Sequence, residues 1–217
     1  MAYEKFSAGH GTFQTDRSGM AARILDAWQD MRASTRRLIE EDPSEGRLLF
    51  YVLLSDMVFF LSWTLKAVVK PSAGAESMIP ANVGLLMIGA LLVRTAAIYV
   101  FTLILGSVLR LFGGKGSWKD TRAGVFWGSF VSAPFGFLAA LIAVTLTLLE
   151  PTFPTLKESW VALPPYWIGL IPFTWFVSYG IAEAQGIQRA SLIFMVLSVL
   201  AIFAVIAGMY LKAIGVI

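Results

Sequence analysis

Asp56 and Arg94 are the residues most able to do chemistry in this chain of 217 residues, because each is an ionisable group deep inside an otherwise apolar stretch. Counted from the same end of their segments, Asp56 is 12 residues from Val68 and Arg94 is 11 from Val83. At ~1.5 Å per helical residue the two lie ~18 and ~16 Å deep, so they can meet. A lone charge at mid-bilayer costs at least ~2.5 kcal/mol, which favours a pair or a polar cavity. A structural ion pair locking two helices is the plainer reading. A proton or ion relay needs a chain of such groups, and no third ionisable residue lies at that depth.

Other chemistries lack their parts. The only histidine, His10, precedes every apolar stretch, so no His dyad reaches a serine such as Ser129. Two-carboxylate catalysis lacks a second acid at the depth of Asp56. The absence of cysteine excludes disulfides and thiolate chemistry, and metal ligands are not clustered. Gly113-Gly114-Lys115-Gly116-Ser117 has the look of a phosphate cradle, but it departs from GxxxxGK[ST] and follows a helix instead of a strand. Neither a nucleotide nor any cofactor is expected.

The elements that position these residues are five apolar spans, Leu48 to Val69, Ala81 to Leu109, Ala123 to Leu149, Tyr166 to Ala182 and Ala190 to Leu211. Each is near the ~20 residues a helix needs to cross ~30 Å of hydrocarbon. The expected fold is therefore all-α, a polytopic membrane protein with residues 48–217 as its membrane domain and the lipid bilayer as its first partner. A composition 57% hydrophobic and only 14% charged agrees. The net charge of +3 is spread over flanking loops, so nucleic acid is not an expected partner. Twelve Lys and Arg, among them Arg47, Arg110, Lys119, Arg122 and Arg189, fall on one side of the spans, and four, Lys66, Lys70, Lys157 and Lys212, on the other. The positive-inside rule then puts the N-terminus in the cytoplasm and the C-terminus outside. Trp63 and Trp167 are expected at the outer interface and Trp127 at the inner one.

Residues 1–17 lack periodicity and an apolar core, which predicts a mobile cytoplasmic tail and no cleavable signal. Residues 18–47 are read as a cytoplasmic amphipathic helix and linker. Ser18 is its N-cap, Met20, Ile24, Trp28 and Met31 follow at helical spacing, and the helix ends near Asp42-Pro43. The balance of acids and arginines points to docking through Trp28 or packing under the bundle, more than to attraction by anionic lipid. In the third span Gly124, Gly128, Ser132, Gly136 and Ala140 recur every four residues, a small-residue face along which another helix can approach closely. Packing inside one bundle is preferred to homodimerisation. Pro134 and Pro172 predict kinks in the third and fourth spans.

The segment LRLFGGKGSWKDTRAGVFWGSFVSAPFGFL, residues 109–138, resembles the region between the second and third spans of bacterial Yip (Ypt/Rab-interacting-protein) domain proteins. Asp42-Pro43 is similar to that family's entry segment, and Ile181-Ala-Glu-Ala-Gln-Gly-Ile187 to its turn between spans four and five. The resemblance covers about residues 40–210 and implies a five-helix Yip bundle in a bacterial inner membrane. Eukaryotic relatives are linked with vesicle trafficking and small GTPases through an acidic DLYGP-type motif, which is absent here. Together these readings predict a non-enzymatic membrane scaffold or accessory subunit that associates with other integral membrane proteins or with itself. The alternative is a small transporter or channel using Asp56 and Arg94, since Pro-interrupted helices can mark substrate sites.

Overall fold

The computed structural model describes residues 19–69, 83–158, 161 and 163–214. The expected tail 1–17, the expected N-cap Ser18 and the first two residues of the second expected span lie outside them. Among the described residues there are seven α-helices and no strand: α1 Met20–Gln29, α2 Met31–Glu40, α3 Glu45–Val69, α4 Val83–Leu111, α5 Trp118–Leu149, α6 Leu163–Ala184 and α7 Ala190–Ala213. A short 3-10 turn, Pro154–Lys157, lies between α5 and α6.

Two short helices occupy the region expected to be one. Asp30 breaks the pattern: its backbone is extended (φ −145°, ψ 92°) and its carboxylate accepts from the Ala33 amide at 3.0 Å, so it caps α2 instead of continuing α1. Four helices, α3, α4, α5 and α7, are long and apolar enough to cross a membrane. The 22-residue α6 is not among them, because Pro164, Pro165, Tyr166, Trp167, Thr174 and Tyr179 dilute its aliphatic residues.

The centre of the structure is α5, which packs most extensively on α6 and then on α3, while α4 and α7 sit at the periphery. Every residue from Ala123 to Ser132 is buried, since α1 and α2 cover the side of α5 that α3 and α6 leave open. This end of the bundle is the capped end. Trp127, expected at a membrane interface, is instead buried there; its indole donates to the Ser34 hydroxyl at 3.0 Å and meets the Tyr51 ring edge-on at 5.0 Å. Beyond the cap, Trp28 of α1 donates to the Val131 carbonyl at 3.0 Å, three residues before Pro134.

Helix ends at the cap are closed by their own sequences. Both α4 and α6 finish in a Schellman motif: Gly113 (φ 92°) and Gly186 (φ 68°) supply the left-handed residue. Gly114 and Ile187 then return their amides to the carbonyls of Leu109 and Ala182 at 2.9 and 2.8 Å. At the start of α5, Ser117 and Asp120 form a reciprocal capping box with both bonds at 3.0 Å.

Candidate functional site

Two arrangements gather the residues singled out by the sequence, one at the cap and one within the bundle. At the cap, the Gly113 to Ser117 loop and the Ile181 to Ile187 turn lie against each other. The Lys115 amide donates to the Gln185 carbonyl at 3.0 Å, and the Gly116 amide to Gln185 Oε1 at 3.3 Å. Gln185 is buried, and its amide nitrogen donates to the Thr121 hydroxyl at 2.6 Å. The glycines are needed for contact here: a Cβ on Gly114 would stand 2.5 Å from Gln185 Oε1, and one on Gly116 only 2.0 Å from the Ala184 carbonyl oxygen. The Lys115 side chain stays exposed.

Helix α2 clamps the same turn from the N-terminal side. Arg32 donates to the carbonyls of Ile187 and Gln188 at 2.6 and 2.8 Å, and Arg36 pairs with Glu183 at 2.6 Å. The hydrogen bond that Arg36 donates to Glu183, assisted by that carboxylate's charge, outweighs partial burial and holds the Arg36 guanidinium above its ordinary value. Asp42 and Glu45, at the entry to α3, pair with Lys119 and Arg122 of α5. None of Gln185, Thr121, Ser34 or Arg36 stood out in the sequence. Gln185 and Thr121 lie within the segments that resemble the Yip family, but nothing in their spacing singles out their side chains.

Within the bundle, Arg94 of α4 and Asp56 of α3 form an ion pair, and Thr95 donates to the other Asp56 oxygen at 2.6 Å. Asp56 has no exposed side-chain surface, whereas 22% of the Arg94 side chain is exposed. The guanidinium also faces the Phe59 ring, 4.7 Å from its centroid, which lets it keep a favourable contact away from water. Asp56 therefore has both oxygens engaged.

Small residues on α5 divide into two groups. Gly124 and Gly128 lie against the α6 backbone, where a Cβ would stand 2.6 Å from the Gly180 oxygen or 2.9 Å from that of Phe176. Gly180 returns the contact on Gly124, so the two helices approach backbone to backbone. Gly136 is different: a Cβ there meets nothing within 4 Å. It lines a cavity of about 480 Å³ between α3, α5 and α6, with Ser132 also on the wall. Ala140 is buried further along the helix.

Among the described residues no three His, Cys, Asp or Glu side chains gather as a metal site. What the arrangement at the cap can do is mechanical: it ties the two inter-helix turns and α2 into one unit.

The model of the Yip1 domain matches residues 26–210. The chain belongs to the Yip1 domain family. The matched region begins inside α1, earlier than the expected start near residue 40, so α2 with its Arg32 and Arg36 clamp is part of the Yip1 domain itself. Comparison with curated proteins and with solved structures finds no match.

Proposed function

We infer that this Yip1 domain protein is a non-catalytic membrane scaffold or accessory subunit that works by helix association with other integral membrane proteins. The observation that carries this reading is α4, which buries only Ile98, Thr102, Leu105, Gly106 and Leu109 among its described residues and leaves most of its apolar surface open. Gly124 and Gly128 are already used by α6, so association falls to the open faces of α4 and α7 and not to the small-residue face of α5. Bulky side chains such as Val93, Leu103, Met195 and Phe203 stand more than half exposed on those two helices.

The membrane unit, residues 48–217, has five spans in this reading, with α6 as the fourth. At ~1.5 Å per residue, 22 residues give ~33 Å, enough to cross. Its run beside α5 from Gly180 to Gly169 supports a crossing in the opposite direction. The excess of Lys and Arg on the capped side supports a cytoplasmic location for residues 18–47 and a C-terminus outside, as in a bacterial inner membrane. The transporter reading is weaker, because a relay needs a group free to exchange its proton and Asp56 is held by Arg94 and Thr95.

Co-purification in mild detergent tests the proposal. A membrane protein recovered in stoichiometric amount, and lost when Val93 and Leu103 are changed to Ser, is the expected result. Recovery of the chain alone from native membranes would contradict it.

A further inference from the structure

The cavity beside Gly136 has a wall of one charge sign. Arg94 lines its inner part and Lys66 another part of its wall, while no Asp or Glu lines it, since Asp56 lies behind Arg94. Ser55, Phe59, Ser62 and Lys66 recur along one side of α3 at helical spacing, so hydroxyls, an aromatic ring and a cation share that face. Across from them the Ser129 hydroxyl is buried without a hydrogen-bond partner. Along the axis Ser55 and Lys66 are 11 residues apart, or ~16 Å. The helices α3 and α6, which form two of the walls, make no extensive contact with each other, and Trp63 of α3 and Tyr166 of α6 flank the cavity between them.

We propose that this cavity binds the headgroup of an acidic phospholipid whose headgroup carries hydroxyls, drawn from the leaflet at the uncapped end. The phosphate is held by Lys66, which has no carboxylate partner among the described residues. The headgroup hydroxyls reach the buried Ser129 hydroxyl and the exposed edge of Arg94, and the acyl chains leave between α3 and α6 beside Trp63 and Tyr166. A zwitterionic headgroup fits poorly, because Lys66 and Arg94 are the charged groups on the wall and no carboxylate lines the cavity to receive its ammonium. Past Lys66 a second space of about 350 Å³ carries Glu150, Glu158 and Lys157, so the single-sign lining is confined to the inner cavity.

Native mass spectrometry of the full chain in mild detergent tests this, with phosphatidylglycerol, phosphatidylcholine or inorganic phosphate added separately. The expected result is a one-to-one adduct with phosphatidylglycerol and little with phosphatidylcholine. Lys66→Ala should weaken that adduct about tenfold or more, as loss of a charge-assisted contact does. Gly136→Leu should remove it while keeping the melting midpoint near wild type, because a Cβ there meets nothing within 4 Å and the position lines the cavity that the larger side chain would fill. If Gly136→Leu fails to fold, Lys66→Ala decides alone. Equal binding of the two lipids, binding unaffected by Lys66→Ala, or binding of inorganic phosphate without any lipid adduct would each overturn the proposal.

Discussion

Gly116 packs so tightly beneath Ala184 that a Cβ on it would stand 2.0 Å from the carbonyl oxygen. The contact joins two turns that are 68 residues apart and makes the capped end of the bundle one body. Gly116→Ala must push them apart, at a cost of ~1–3 kcal/mol typical of overpacking. Gly113→Ala, which strains a left-handed residue without meeting a neighbour, should cost ~1–2 kcal/mol. Thermal unfolding in detergent measures both. A midpoint for Gly116→Ala equal to wild type would show that the turns separate freely.

The contrast between these turns and the rest shows what the sequence carries. Apolar length makes α3, α4, α5 and α7 legible, and the residues of the loop and turn are enough to mark the Yip1 domain. The polar aromatics and prolines of α6 blur its apolar character, and Trp175 stacks on Tyr179 and meets Phe194 of α7. Asp30 sits within a helical repeat and reads as one exposed polar residue until its carboxylate is seen capping α2. Gln185 in a turn reads as solvated, yet it is buried by contacts from segments far away in the chain. A spacing of four makes Gly128 and Gly136 look alike. Only the path of α6 tells that one meets backbone and the other a cavity.

Breaking the ion pair between α3 and α4 should be costly in one step and less so in two. Asp56→Ala leaves Arg94 without its carboxylate and should destabilise the protein by ~3–5 kcal/mol, as should Arg94→Ala. The double variant should recover part of the loss. A double-mutant cycle by thermal unfolding reads this directly, and strictly additive effects would show that the two side chains are energetically independent.

Stability of the cap should depend on pH through Glu41. Partial burial raises its pKa, but hydrogen bonds from Arg23 at 2.9 Å and Arg47 at 2.7 Å, with their charges, outweigh this and hold it below the ordinary value. A depressed carboxyl contributes stability that is present above its unfolded pKa and lost as pH falls through the folded one. Glu41→Gln should therefore melt lower than wild type at pH 7, and the gap should close well below ~pH 4.3. A gap unchanged across that range would mean that these arginines do not stabilise the carboxylate.

The proposed topology, with α6 as a fourth crossing, is open to a direct test. Reporter fusions after Ser117 and Gln188 should read cytoplasmic, and one after Lys157 extracytoplasmic. A fusion after Gln188 that reads on the same side as Lys157 would mean that α6 does not cross.

Site-specific photocrosslinking in native membranes tests the scaffold reading most directly. A crosslinker at Val93 or Leu103 on the open face of α4 should give a discrete adduct with another membrane protein or a second copy of the chain. One at Val177, buried within α6, should give none. Crosslinks from Val93 and Leu103 to lipid alone would contradict the account.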